Sequence, residues 1–420
     1  VVLEGDYSSY KTIITRSGSS TSPVTFQAQG LVTTRGFIVS ADYIAIRWFD
    51  ISDTSDHRVN SQSSHDWRGG TGIFVEGNAC LLEENTIHYC VWSGVKLYKS
   101  GTFAAPTDCI VRKNRLFKNG MSGIEVSGRN HLIDGNEIWA TIQHHPKNVE
   151  HTTESWLDAD GIRFFGQGHT FRKNYIHDIK FGPPGTNPAN DDYNDDPHID
   201  CFQTWTGTSA ETAKDIVFEG NWCDNAQGQA ANETGQGFMI EGPPPNSPTN
   251  LIVRNNVIRA YRGMNVLDAT GIIIVNNTFV NDLSLPTDYH PSGVGFSNSP
   301  NATIKNNLFF DMSVHTIILK DATSQSAQTG KNLSYRSDGK PLVTNDSYYG
   351  PSRRAADLWG VNPLLKNPGA APPDYHLSTG SPAIDAAEDL PSLVSNDYDG
   401  VARPQQSHMD IGAFEYLAPP

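Results

Sequence analysis

The stretch that decides the fold reads Leu81-Leu82-Glu83-Glu84-Asn85-Thr86-Ile87, and its pattern returns as Ile110-Val111-Arg112-Lys113-Asn114-Arg115-Leu116. Each copy has β-forming residues, then an asparagine, any residue and an apolar residue. The same asparagine recurs at Asn136, Asn174, Asn221, Asn256, Asn277 and Asn307. Self-similarity of this kind is typical of a repeat architecture.

A second pattern follows each asparagine, in which a small or polar residue and a glycine precede an alternating strand. It reads Ser93-Gly94-Val95-Lys96-Leu97, Ser122-Gly123-Ile124-Glu125-Val126 and Asp160-Gly161-Ile162-Arg163-Phe164. Alternating apolar residues indicate half-buried strands. One strand–turn–strand unit cannot bury its apolar face alone, whereas stacked parallel units can. The sequence therefore predicts an all-β protein, a single-stranded right-handed parallel β-helix (a solenoid), in preference to a sandwich or propeller.

The repeating asparagines are expected at turns between strands. Asparagine tolerates left-handed backbone geometry and can bond to its own backbone. Stacked over many coils, these residues should form a ladder.

Composition excludes some classes of function. The formal net charge is −15, which argues against nucleic-acid binding because that requires a basic face. No apolar run approaches the length of a membrane span. The chain opens on a strand-like stretch, so we expect a removed leader or a missing first coil before it. A monomer is expected.

The five cysteines do not form a metal-binding CxxC pattern. They are Cys80, Cys90, Cys109, Cys201 and Cys223. Cys80 and Cys109 occupy the same place in successive repeats and should stack. We expect mostly buried thiols and one disulfide at most.

The spacing of the asparagines predicts where function lies. From Asn85 the intervals are 29, 22, 38, 47, 35, 21 and 30 residues, so a bare coil needs only 21–22 and the middle coils carry long loops. Such loops on a rigid scaffold are where binding and catalysis usually occur. We expect a β-helix over 1–345, catalytic loops at 139–248, and a capping segment over 346–420 packed on the last coils.

The residue before the glycine forms a column of polar side chains across the coils. In order it reads Ser93, Ser122, Asp160, Asp200, Gln236, Arg262 and Ser292. Asp160 and Asp200 should therefore lie roughly 5 Å apart on adjacent strands. Like charges this close shift each other's pKa, and a protonated acid beside an ionised one is the pair that glycoside hydrolysis needs.

The candidate site combines this column with the nearby loops, where aromatic residues lie among acids as in sugar-binding sites. The catalytic candidates are Asp160, Asp200, Asp196, His198 and Glu241. The substrate-binding candidates are Trp156, Asp158, Arg163, Lys180, Tyr193, Gln203, Trp205 and Gln236.

The layout resembles the pectin-hydrolysing polygalacturonases, whose coils carry the motifs NTDG, DDC and GHG. The matching positions here are Asp160 and Asp200. The sequence departs from that family at Ile199 and Gln236, where the family has Asp and His, and Asp196 is the candidate replacement for the missing Asp. The resemblance implies hydrolysis by a cluster of carboxylates.

A second motif competes with this interpretation. Tyr193-Asn194-Asp195-Asp196-Pro197-His198 resembles the Tyr-x-x-Asp-Pro-His pattern of mannuronan C5-epimerases. That resemblance implies that Tyr193 and His198 move the C5 proton of a uronate, a step shared with polysaccharide lyases, with Arg163 or Lys180 near the sugar carboxylate. No cofactor is required for hydrolysis, but Asp191, Asp192 and Asp195 could bind Ca²⁺.

The C-terminal part has a different character. Asp374-Tyr375-His376-Leu377 and Asp410-Ile411-Gly412-Ala413-Phe414-Glu415-Tyr416 resemble the closing segment of secreted bacterial β-helix proteins, which implies export. Three hypotheses follow: a glycoside hydrolase, a uronate lyase or epimerase, and a non-catalytic carbohydrate-binding β-helix. The first is preferred, and the acid-rich long coils argue against the third, because a binding solenoid should have uniform coils.

Overall fold

The predicted right-handed parallel β-helix is confirmed. The computed structural model describes residues 1–52, 54, 67–99, 104–142, 158–179, 199–206, 211–225, 235–284, 291–343, 354 and 356–418. Within these residues nearly all regular structure is strand, apart from the α-helix Trp67–Gly70 and the 3₁₀-helix Ser324–Ser326. No helix among them is long and apolar enough to cross a membrane.

The described residues divide into two compact units. The first contains those of 1–204 and 211–213, and the second those of 205–206, 214–225 and 235–418.

Most strands of the first unit are short, and each coil contains three of them. They are β1 (Val2–Tyr7), β2 (Thr12–Ile14), β3 (Val24–Thr34), β4 (Phe37–Val39), β5 (Ile44–Arg47), β6 (Asp50–Ser52), β7 (Ile73–Val75), β8 (Leu81–Glu83), β9 (Thr86–His88), β10 (Val95–Leu97), β11 (Ile110–Arg112), β12 (Arg115–Phe117), β13 (Ser122–Val126), β14 (Leu132–Asp134), β15 (Glu137–Trp139), β16 (Asp160–Phe164), β17 (Thr170–Arg172), β18 (Tyr175–His177) and β19 (Ile199–Thr204).

The second unit repeats this arrangement and ends in a hairpin. Its strands are β20 (Lys214–Glu219), β21 (Trp222–Asn225), β22 (Gly235–Glu241), β23 (Thr249–Arg254), β24 (Val257–Ala260), β25 (Arg262–Leu267), β26 (Ile273–Val275), β27 (Thr278–Val280), β28 (Ser292–Ser297), β29 (Thr303–Lys305), β30 (Leu308–Phe310), β31 (His315–Leu319), β32 (Gln328–Gly330), β33 (Leu333–Tyr335), β34 (Leu358–Trp359), β35 (Leu365–Asn367) and β36 (Asp374–Leu377).

Every third strand pairs in parallel with its counterpart on the next coil, which produces three sheets. In the first unit the first sheet runs β2-β4-β7-β10-β13-β16-β19. The other two follow the orders β5-β8-β11-β14-β17 and β6-β9-β12-β15-β18. In the second unit the corresponding sheet runs β22-β25-β28-β31. β35 and β36 form an antiparallel pair.

The interior is filled by stacked aliphatic and aromatic side chains. Phe164, Phe171 and Phe202 are fully buried, and their rings contact edge to face at centroid distances of 5.9 and 6.2 Å. Gly161 faces this interior, since a Cβ there would lie 2.6 Å from Cγ2 of Ile176. The glycine in the repeat is therefore required by close packing.

The predicted asparagine ladder is confirmed in both units. The amide oxygen of Asn114 accepts hydrogen bonds from the backbone N–H and the side-chain amide of Asn85, both at 3.0 Å. The same geometry continues through Asn136 to Asn174. In the second unit the ladder contains Asn221, Asn256, Asn277, Asn307 and Asn332 and ends at Asp357.

The expected left-handed geometry of these asparagines was wrong. The left-handed residue is the one before the ladder position, as at Glu84 (φ 54°), Lys113 (φ 55°) and Gly135 (φ 65°). That residue makes the bend between the strands, and the asparagine that follows is buried, with its amide bonded along the stack.

Two cysteines stack as predicted. Cys80 and Cys109 directly precede β8 and β11, which pair in register, and both are buried thiols outside any disulfide. Cys90 is also a buried thiol, whereas Cys201 and Cys223 are disulfide-bonded.

The C-terminal residues pack on the strands β24, β27, β30 and β33 of the second unit. Tyr375, Met409, Ile411 and Phe414 share one apolar cluster with residues of these strands such as Leu308. Carboxylates in this segment serve the fold, since Glu415 pairs with Arg403 at 2.7 Å with both side chains buried. The boundary predicted at 345/346 lies outside the described residues.

Asn136→Ala should destabilise the protein by roughly 3 kcal/mol, because a buried donor left without an acceptor costs about 1–3 kcal/mol. The variant removes the oxygen that accepts from the backbone N–H and the amide of Asn114. Urea denaturation measures the change. The control is Asn367→Ala, at an exposed position. Equal stability of the two variants would show that the ladder contributes nothing beyond strand pairing.

Candidate functional site

The candidate site lies on the first sheet of the first unit, on β10, β13, β16 and β19. The register places Ser122 opposite Asp160 and Ile162 opposite Phe202, so Asp160 and Asp200 are neighbours on adjacent strands. Parallel strands lie about 4.8 Å apart. The polar column predicted from the sequence is therefore correct over this part of the chain.

Asp160 and Asp200 are joined through the backbone. The N–H of Asp200 donates to Oδ1 of Asp160 at 3.2 Å, and both residues are 0% exposed. Next along the column, the hydroxyls of Ser122 and Ser93 hydrogen-bond at 2.7 Å. Two carboxylates thus follow two hydroxyls in a column that is buried throughout.

A second row of polar residues runs beside this column. Register pairs Lys96 with Glu125, Glu125 with Arg163, and Arg163 with Gln203. Nζ of Lys96 lies 2.7 Å from Oε1 of Glu125. All four residues are buried, although charged side chains are rarely buried unless they are paired.

Arg163 links the row to the carboxylate column. Its Nε donates to Oδ2 of Asp160 at 2.6 Å, and its Nη2 donates to Oδ2 of Asp158 at 3.2 Å. The amide of Gln203 reaches the same oxygen of Asp158 at 3.4 Å. Asp158 is the more accessible acid, with its side chain 18% exposed.

Burial and the neighbouring charges shift the pKa values of these residues. Burial raises the pKa of Asp160 to about 7, against the opposing effect of Arg163, and Asp158 adds to the increase. Burial disfavours the charge on Arg163, but Asp160, Asp158 and Glu125 together hold its pKa above the usual value. Burial also lowers the pKa of Lys96, although Glu125 opposes that change. Asp160 can therefore exchange a proton in the neutral range, which suits a general acid or base.

The structure brings five predicted residues together: Asp158, Asp160, Arg163, Asp200 and Gln203. Three others belong to the second unit. Gln236 is buried on β22 in register with Arg262, Glu241 is half-buried in register with Leu267, and Trp205 is half-buried.

The remaining predicted residues lie outside the described part of the chain. They are Trp156, Lys180, Tyr193, Asp196 and His198, together with the proposed Ca²⁺ ligands Asp191, Asp192 and Asp195. Within the described residues, no group of three or more His, Cys, Asp or Glu side chains could hold a metal ion.

The sequence analysis missed Lys96 and Glu125 as parts of this site. A signal was present, because Val95-Lys96-Leu97, Ile124-Glu125-Val126 and Ile162-Arg163-Phe164 each place a charge between two apolar residues. The sign of the charge alternates from coil to coil. Read together in register, the three strands predict a row of ion pairs.

Comparisons with known proteins identify the fold. Residues 71–282, half of the chain, match the family model described as "Right handed beta helix region". No curated protein matches the chain.

Several solved structures are similar to the chain at low identity. Pectate lyase Pel9A is 15% identical with a TM-score of 0.52, covering 97% of this chain and 83% of that one. The catalytic domain of an α-1,3-glucanase is 12% identical, with a TM-score of 0.46 and coverage of 85% and 64%. A mannuronic acid specific family 6 lyase from human gut microbiota is 12% identical, with a TM-score of 0.43 and coverage of 85% and 72%. The similarity to the pectate lyase, at this identity, shows the fold alone.

The raised pKa of Asp160 predicts a pH-dependent stability difference between the wild type and Asp160→Asn. Between the ordinary value of 3.8 and about 7, the folded state holds a proton that the unfolded state releases. The wild type should therefore lose stability relative to the variant as pH rises from about 5 to about 8. Urea denaturation at both pH values measures this. Asp134→Asn, which breaks a partly exposed pair with Arg172, controls for loss of an ion pair. A constant difference would mean that Arg163 keeps Asp160 ionised throughout.

Proposed function

The chain belongs to the right-handed β-helix family, and from that premise we propose that it is an enzyme that cleaves a polysaccharide by glycoside hydrolysis. The observation that carries the proposal is the placement of Asp160 and Asp200 in register on adjacent strands. Hydrolysis of a glycosidic bond needs two carboxyl groups, one to protonate the leaving oxygen and one to act as base or nucleophile.

The environment of Asp160 supports one of these two roles. Asp160, with its pKa raised to about 7 by burial, is the general acid. Asp200 is the base or nucleophile. Arg163 and the N–H of Asp200 hold the two oxygens of Asp160 in place, and Asp158, at the more exposed edge, binds sugar hydroxyls together with Gln203.

Elimination from a uronate is the alternative reaction, together with C5-epimerisation, and its residues would be Tyr193, His198, and Arg163 or Lys180. It needs a cation free to neutralise the sugar carboxylate. Arg163 is already bonded to Asp160 and Asp158, and its side chain is 5% exposed. Among the described residues, this favours hydrolysis. Ca²⁺ held by Asp191, Asp192 and Asp195 would belong to the elimination reaction.

We further propose that the protein acts outside the cell. Cys201 and Cys223 are disulfide-bonded, and disulfides persist mainly in oxidising compartments. The resemblance of the C-terminal segment to those of secreted β-helix proteins agrees with this.

The experiment that tests the reaction is a panel of pectate, alginate and neutral glucans, assayed for new reducing ends and for the ultraviolet absorbance of unsaturated uronates, with and without chelator. We expect reducing ends without absorbance and without an effect of chelator. Asp160→Asn and Asp200→Asn should each lower turnover by about 100-fold or more, while Asp134→Asn should not.

Three outcomes would contradict the assignment. Absorbance that chelator removes would transfer the reaction to elimination at Tyr193 and His198. Turnover at the wild-type rate in both Asp variants would remove these residues from the chemistry, and absence of any product on the whole panel would favour a non-catalytic binding protein.

The pH dependence of turnover tests the role of Asp160 separately. A general acid must be protonated, so kcat/KM should fall as pH rises through about 7, the pKa of Asp160. Initial rates across the pH range measure this. A profile that rises through the same range would assign Asp160 the role of base.

A further inference from the structure

One row of side chains on the first sheet of the first unit is apolar at its start and becomes charged on the strands next to Arg163. Register aligns Ile38 on β4 with Phe74 on β7, and Phe74 with Lys96 on β10. Glu125 on β13 and Arg163 on β16 continue the row. The charges therefore begin only on the strands that approach the carboxylates.

The fold does not require the charges of Lys96 and Glu125. Ile38 and Phe74 occupy the same position of the repeat and are buried without any charge. The side chains of Lys96 and Glu125 are only 5% and 8% exposed. A buried ion pair is often no more stabilising than well-packed apolar side chains of similar size. The pair therefore calls for a role other than holding the coil together.

The position of the pair beside Arg163 indicates that role. Burial disfavours the charge on Arg163, and Glu125 joins Asp160 and Asp158 in holding its pKa above the usual value. Burial lowers the pKa of Lys96, Glu125 opposes that change, and Arg163 adds to it. The electrostatic interaction thus extends across β10, β13 and β16.

Arg163 carries this interaction to Asp160, because its Nε donates to Oδ2 of that residue at 2.6 Å. A positive charge at this distance favours the ionised carboxylate. A group that offsets the charge of Arg163 therefore favours the protonated acid. Glu125 is such a group, and Lys96, at 2.7 Å from Glu125, offsets Glu125 in turn.

The charged groups around Asp160 come from its own strand, from the residues before it and from the neighbouring strands. They are Asp158, Arg163, Asp200, Glu125 and Lys96. The first three are assigned to the reaction or to substrate binding. Lys96 and Glu125 are the two that can be changed without altering such a group.

We infer that Lys96 and Glu125 are positioning residues that act on Asp160 through Arg163. Glu125 offsets part of the positive charge that Arg163 exerts on the carboxyl group, and Lys96 limits that effect. The pair thereby sets the pH range in which Asp160 is protonated. The inference rests on the proposed function for its catalytic consequence.

The test neutralises each partner and measures kcat/KM from about pH 5 to about pH 9. Glu125→Gln removes a negative charge beside Arg163, so Asp160 should ionise more readily and the fall of kcat/KM should move about one pH unit lower. Lys96→Met removes a positive charge one strand farther away, so the fall should move about half a unit higher. The double variant Lys96→Met/Glu125→Gln should move it about half a unit lower.

The double variant leaves neither partner buried without the other, so it decides the inference even where a single variant fails to fold. The matched control is Glu137→Gln on β15, which makes the same change in a partly exposed pair with Arg115 and should leave the profile in place. A purely structural role would lower kcat/KM alike at every pH. Shifts of the two single variants in the same direction, or an unmoved profile in the double variant, overturn the inference.

Failure of this inference is distinguishable from failure of the proposed function, because the ionisation of Asp160 can also be followed without substrate. Urea denaturation measures the stability difference that Asp160→Asn causes in the wild type and in the double variant. This difference should stop changing with pH about half a unit lower in the double variant. That shift without hydrolysis by the wild type keeps the inference and rejects the hydrolase. Hydrolysis without the shift keeps the hydrolase and rejects the inference.

Discussion

The hydrogen bonding of the asparagine ladder holds each coil in register with the next, and the rest of the structure depends on that register. Asn114 illustrates the constraint. Its oxygen accepts from Asn85, and its amide donates to the carbonyl of Leu82 and to the oxygen of Asn136. One side chain therefore joins three coils. A slip of one residue would leave several buried polar groups without partners, at a cost in free energy for each.

Register turns a linear repeat into a functional surface. Residues separated by about forty positions, such as Asp160 and Asp200, become neighbours because they occupy the same place in successive coils. Lys96, Glu125 and Arg163 are assembled in the same way. Burying so many charges is costly unless each is paired. Because the sign of the charge alternates along this row, each charge lies beside one of opposite sign. Asp160, next to the row, keeps a carboxyl group that can exchange a proton.

The same principle explains which predictions from sequence succeeded. The ladder and the column of Ser122, Asp160 and Asp200 could be predicted because each is a single position in the repeat. The left-handed residue was assigned to the asparagine, although it is the residue before it, such as Lys113. Both positions lie in the same turn, and a repeat in the sequence does not say which one bends. Lys96 and Glu125 were missed because, in one strand taken alone, a charged residue between two apolar residues indicates a position that faces solvent. Only the neighbouring strand shows that an opposite charge lies beside it.

The sequence by itself determined the fold class, the repeat register and the acids that share a column, because these follow from periodicity and from the need to bury one face of each strand. Only the tertiary structure decided which side chains are paired. Arg163 contacts two carboxylates through atoms whose separation depends on rotamers and burial. Periodicity places residues in columns, and packing between columns decides their charges, partners and accessible space.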